Sequence, residues 1–420
     1  MTVSRVFFPD STAAHNARPS LDALFSYGFR PFFLAAAVYA ALVMSLWLIW
    51  IFTTAAVGLQ DWMPVAGSPF GWHGHEMVFG FAGAAVAGFL LTAVPNWTGA
   101  LPLSGTPLAL LFVIWLVGRI AMGVSGTLPY VLIAAVDLAF LPVLGAFAAR
   151  QLFEKPALRN VILLAVVGVL TLCNVVFHLA TYGFLAVDPL AANRIGVLLV
   201  VILIAVIGGR IIPAFTHNWL HLNGASGPMP QRLAWLDAAS IIAIVIFVLL
   251  ETVGAPDALR GATALIAAAF NGARLALWRG FATRKEPIVW VLHLAYAWIV
   301  VGLALSAAAS FTGHVSAAIA SHAFGTGAIG TMIMAVMSRA SLGHTGRPLV
   351  ASRPIVAAYL LVTLAAAVRV FGPLLIPQHY AGVLGGAGVA WVAAFTLFVL
   401  VYAPILTTPR VHTKTVAAAA

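Results

Sequence analysis

Twelve continuous apolar runs, separated by short polar turns, recur along this chain of 420 residues. Each holds about 20 residues, long enough at ~1.5 Å per residue to cross a hydrocarbon core of ~30 Å. Lipid offers the backbone no hydrogen-bond partners, so runs of this kind satisfy their own amides as helices. Closed strands are excluded because the runs do not alternate and far exceed barrel-strand length. The expected spans are Phe32–Thr54, His73–Pro95, Gly105–Val124, Leu128–Arg150, Leu158–Gly183, Leu190–Pro213, Ala234–Thr252, Asp257–Arg279, Glu286–Ser310, Val315–Ser338, Ser352–Pro373 and Tyr380–Ala403. The fold class is therefore an all-α polytopic membrane protein of about twelve transmembrane helices. Residues 1–31 form a leading segment, 32–403 the membrane domain and 404–420 a tail.

Composition agrees: 63% of residues are hydrophobic, 8% are charged and the mean hydropathy is +1.06. A water-soluble core would leave far more apolar surface than water tolerates. The net charge of +10 is spread over loops. Arg5, Arg18 and Arg30 precede the first span, and Arg150, Lys155, Arg159, Arg210, Arg232, Arg279, Arg284, Lys285, Arg339, Arg347, Arg353, Arg410 and Lys414 fall in loops on that same side. The opposite side has Arg194 and Arg260 in loops, with Arg119 and Arg369 near helix ends. Positive residues accumulate on the cytoplasmic side, so both termini are expected there. Scattered cations of this kind are no nucleic-acid footprint. Before Phe32 there is no short apolar run with a small-residue cleavage site, so the first helix is expected to be retained.

Chemistry enters at Trp72-His73-Gly74-His75-Glu76-Met77, where metal-binding side chains stand at the start of the second span. The single Cys173 excludes an internal disulfide and a CxxC metal site, which leaves His, Met and carboxylate as ligands. Of the 12 histidines, His73, His75, His178 and His322 lie in the outer third of the bilayer on the expected topology. An ionisable side chain at that depth is costly and marks function by default. The four imidazoles are expected to converge on haem iron or copper, against the plain alternative of hydrogen-bonded packing residues. His73 and His75 stand about 200° apart on a regular helix and so point to two sites. Glu76 is placed to orient a ligating imidazole.

On the other side, His217 and His221 have i, i+4 spacing, yet the neighbouring Pro213 and Gly224 favour a solvated turn. Arg210 and Arg339 could hold an anion or a haem propionate through charge-assisted hydrogen bonds. The small-residue faces at Gly80, Gly83 and Gly88 and at Gly325, Gly327 and Gly330 let helices pack closely, and would also admit a planar macrocycle. Helices two, six and ten each run into a similar turn, which suggests three four-helix units. Aligning Thr98 with Thr345 sets His75 against His322, with no matching histidine in the middle unit.

Several blocks together resemble the NnrS family of membrane proteins: Phe29-Arg30-Pro31-Phe32-Phe33, Trp72 to Met77, Leu91 to Gly99, Gly208 to Thr216, and Ala328 to Met332 through Arg339 to Leu349. The resemblance implies a twelve-helix inner-membrane protein that binds haem, of b type because no CxxCH is present, and copper. It further implies nitric oxide as the partner molecule, a role in protecting the cell from nitrosative stress, and a membrane electron donor. On this reading His75 and His322 serve haem, and His73 and His178 serve copper or the second axial position. Whether catalysis occurs is left open by the sequence. The competing expectation is a transporter of haem, a metal ion or a small anion, since twelve helices with internal repeats are also a carrier plan.

Overall fold

The computed structural model describes residues 18–58, 62–153 and 158–411. Arg5, Lys155 and Lys414 of the charge pattern, residues 1–17 of the leading segment and 412–420 of the tail lie outside these ranges. Twelve long helices occupy the expected positions, and the described residues contain no strand. We number them α1 (Phe29–Val57), α2 (Pro69–Thr98), α3 (Gly105–Gly123), α4 (Tyr130–Phe153), α5 (Leu158–Thr181), α6 (Pro189–Leu222), α7 (Ala234–Thr252), α8 (Asp257–Leu277), α9 (Pro287–Thr312), α10 (Ala317–His344), α11 (Arg353–Leu375) and α12 (Tyr380–Thr407).

Eleven of them are long and apolar enough to cross a membrane, which makes this a multi-pass membrane protein. The exception is α8, which carries Asp257, Arg260, Asn271 and Arg274. Its polar stripe turns inward, between α7 and α9. Arg274 Nε donates to Asp237 at 2.7 Å, its Nη1 donates to the Ala205 carbonyl and to the Tyr296 hydroxyl, and that hydroxyl donates to Asn271 at 2.6 Å. Membrane length is preserved while apolarity is traded for a buried, hydrogen-bonded polar seam.

The helices form three consecutive groups of four. The second helix of each group is innermost: 72–78% of the spanning window of α2, α6 and α10 is buried, against 33–61% for the other eight spans. The last helix of each group packs on the first of the next, α4 on α5, α8 on α9 and α12 on α1, so the ring closes. The inner helices also end alike. The hydroxyls of Thr98, Thr216 and Thr345 donate to the carbonyls of Val94, Ile212 and Ser341, each four residues back. Counting back 23 residues from these threonines gives His75, Asn193 and His322.

Immediately after the two histidines the helix widens into π geometry, over Glu76–Ala82 in α2 and Ala323–Gly330 in α10. In α6, where asparagine replaces histidine, the helix stays α throughout. Such segments are uncommon and concentrate at functional sites. Small residues allow close approach around the one in α10, where a Cβ on Gly327 would lie 2.5 Å from the Trp298 ring and one on Gly330 would run into Trp391.

Gly330→Val is expected to lower the melting temperature in detergent by several degrees, because Trp391 is buried and has nowhere to move. Gly123→Val, at a position with open space around it, should melt close to wild type. Equal melting of the two variants would contradict this packing.

Candidate metal centre

Five helices bring seven polar side chains together where the first four-helix group meets the second. They are Tyr39 of α1, His75 and Glu76 of α2, Arg119 of α3, Asp137 of α4, and Asn174 and His178 of α5; all but the half-buried Tyr39 are buried. The π turn starting at Glu76 releases α2 from regular spacing, and the neighbours His75 and Glu76 both turn into the cluster.

Arg119 ties the carboxylates together. Its Nη1 donates to Glu76 Oε1 and Oε2 at 2.7 and 2.8 Å, and its Nη2 donates to Asp137 Oδ1. Tyr39 donates its hydroxyl proton to Glu76 Oε2. His75 donates from Nδ1 to Glu76 Oε1 at 2.7 Å, while its Nε2 faces Asn174 Oδ1 at 2.8 Å and Asp137 Oδ2 at 3.2 Å. On the far side, His178 Nε2 and Asn174 Nδ2 each lie 2.8 Å from Asp137 Oδ2.

Two features of this arrangement suit a cation. First, His75 Nε2 meets only oxygen acceptors, a position filled by a proton or by a metal ion. Second, two carboxylates and one guanidinium leave one negative charge for a proton or a metal ion on His75 to balance, in a dry site where charge imbalance is most costly. Donor atoms of His75, Asp137 and His178 all lie within 4.8 Å of one another, close enough to share one ion. Two imidazoles and a carboxylate are donors for copper, zinc or iron rather than for calcium or magnesium. Glu76 on His75 Nδ1 is the outer partner that fixes tautomer and ring orientation in such sites. The donor set therefore fits a transition-metal ion.

The four histidines named from sequence do not all converge. His75 and His178 meet, with Asp137 between them. His73 turns the other way and stacks on Trp47, with ring centroids 4.6 Å apart and planes at 13°. Its Nδ1 is buried without a hydrogen-bond partner. His322 belongs to that second neighbourhood, close enough to His73 to interact with it electrostatically, and both feel the Arg369 charge. Its Nδ1 donates to the Ala318 carbonyl at 2.7 Å, which directs Nε2 outward from its own helix. One turn on, a Cβ at Gly325 would meet nothing within 4 Å, so a flat group has room beside His322.

At the opposite end, Arg339 lies over the Phe215 ring at 3.9 Å, and Arg210 also has a partner in the fold. His293 bonds Thr216 at 2.8 Å, far from either histidine group. His217 and His221 stack one turn apart on α6, which continues past Pro213 to Leu222 and replaces the expected surface turn. The unpaired Cys173 is buried in α5.

Sequence reasoning missed Asp137, Asn174, Tyr39 and the role of Arg119. Asp137 carried a usable signal, being a carboxylate inside an apolar span. Asn174 and His178 share an i, i+4 face of α5. Arg119 reads from sequence as a helix-end charge, and only the fold shows that it turns inward.

The class defined here is an all-α multi-pass membrane protein with a buried histidine–carboxylate centre. The chain belongs to the NnrS family: the model of that family, described as NnrS protein, matches residues 23–410. Comparison with curated proteins finds no match.

Arg119→Met strands Glu76 and Asp137 without their cation and is expected to destabilise the protein by about 3–5 kcal/mol, the usual cost of breaking a buried pair. Adding Glu76→Gln to that variant should restore part of the loss in detergent melting. A silent Arg119→Met would show that the charge balance does not hold the site together.

Proposed function

We propose that this protein is a haem- and copper-binding protein of the bacterial inner membrane that binds or redox-processes nitric oxide and so protects the cell from nitrosative stress. The observation that carries this reading is the convergence of His75, Asp137 and His178 on one point in a buried site. These residues would hold copper, with Glu76 orienting His75 and Arg119 fixing both carboxylates. His73 and His322 are the candidates for haem, His322 with its tautomer already set and Arg369 near enough to meet a propionate. This grouping differs from that expected from sequence, in which His75 shared haem with His322. Bound there, the two groups would supply one-electron chemistry and, at iron, affinity for nitric oxide.

The chain's own contribution is to order the donors and exclude water. Both histidine groups lie near the outer ends of their helices, and nitric oxide, being apolar, can reach them through lipid. A b-type haem requires an electron donor, which for a site at this depth is a membrane component. The positive-inside rule places the termini in the cytoplasm.

The transporter alternative finds less support. The cavity of about 80 Å³ among α1, α2, α6 and α10 is lined by apolar side chains such as Phe33, Leu90, Ile204 and Met332. An ion or a small anion would have no partner there.

Protein purified in detergent is expected to contain copper and haem, with a Soret band that shifts on adding nitric oxide. His75→Ala and His178→Ala should lower copper several-fold and spare haem, while His322→Ala should lower haem and spare copper. Folded protein that takes up neither metal under full reconstitution would refute the proposal.

A further inference from the structure

On the basic face, the connection between α6 and α7 and the connection between α8 and α9 enclose an open cleft of about 470 Å³. Its lining includes Trp219, Gly227, Arg279, Arg284 and Lys285. None of these three cations forms an ion pair among the described residues, although other loop cations such as Arg232 and Arg260 do. Cations collected by the positive-inside rule need only lie on one side of the membrane. Three turned into a single cleft are a recognition arrangement.

The backbone is distorted to achieve this. Arg279 has φ 59° and ψ 43°, the one non-glycine residue with positive φ among the described residues. A side chain disfavours that conformation, which persists where the surroundings impose it and clusters at ligand sites. Here it ends α8 and turns the guanidinium toward Gly227 on the opposing connection. The two connections are tied by the Gln231 amide, which donates to the Leu277 carbonyl at 3.0 Å.

We propose that this cleft binds the phosphate of an anionic phospholipid headgroup. The phosphate chemistry follows from three unpaired cations, two of them guanidinium forks. The lipid source follows from the same chain segments, which expose apolar side chains around the cleft: Phe281 is 93% exposed, Leu222 83% and Trp235 63%. Water would leave such side chains unpaid for, whereas acyl chains at the interface cover them, and basic pockets between helices on the cytoplasmic side take headgroups in this way.

The test uses the full-length protein in detergent, with native mass spectrometry of phosphatidylglycerol and phosphatidylethanolamine adducts. Wild type should retain phosphatidylglycerol in preference, and Arg284→Gln/Lys285→Gln should bind it on the order of tenfold more weakly. Arg150→Gln/Arg353→Gln removes the same charge from exposed positions elsewhere on this face and should bind like wild type. Arg279→Gly should lose affinity while melting no lower than wild type, since glycine relieves the strained backbone. Equal loss in the two double variants, or no loss in either, would overturn the cleft as a site. Saturable binding of inorganic phosphate that needs Arg284 and Lys285, without any preference for phosphatidylglycerol, would overturn the lipid source.

Discussion

The guanidinium of Arg119 ties the first four-helix group to the start of the second. It is buried, it bridges Glu76 on α2 and Asp137 on α4, and through them it fixes His75, Asn174, His178 and Tyr39. At an effective dielectric constant of 20, charges 4 Å apart interact by about 4 kcal/mol, so a buried guanidinium between two carboxylates is a large part of what orders them. One guanidinium balances one of the two carboxylates, and the second charge falls to whatever His75 holds between Glu76 and Asp137, a proton or a metal ion. The first four-helix group and the start of the second are thereby one electrostatic unit.

The joint between the second and third groups repeats part of this design. Arg274 is held by Asp237 and a backbone carbonyl of its own group and reaches across to Tyr296, again buried. No histidine joins it, and its one carboxylate is shared with Arg232 from the loop before α7. The third joint uses still less: Arg30 donates to the carbonyls of Leu406 and Thr408, and Trp391 donates to that of Ala40. Three similar seams thus carry decreasing polarity, and the histidine–carboxylate cluster sits in the most polar.

Much of the architecture was legible because the membrane imposes length and apolarity on every span. Helices stand at all twelve expected positions, and α8 failed the apolar criterion for a reason that only packing reveals: Asn271 and Arg274 face protein, not lipid. The site was half legible. His75, His178 and Glu76 stood out as polar residues in apolar surroundings, and the 200° separation of His73 from His75 matches their different neighbours. What sequence cannot supply is which helices adjoin. Asp137 lies 62 residues from His75 and Asn174 lies 99, and their meeting depends on the order of α2, α4 and α5 in the ring. The π turn was equally hidden, since its one helix-weakening residue, Gly80, reads in sequence as a packing position.

That π turn has a geometric consequence for depth. A wider turn holds more residues per unit rise, so the 23 residues from His75 to Thr98 reach less far than the 23 from Asn193 to Thr216 in the regular α6. Asn193 meets the same stretch of α2, donating to the Gly71 carbonyl at 3.0 Å and lying against Gly74. Two repeats of equal length in sequence therefore differ in the rise between their polar residue and their closing threonine. Both polar residues are buried, the histidine inside the polar cluster and the asparagine beside it as a helix-to-helix clasp.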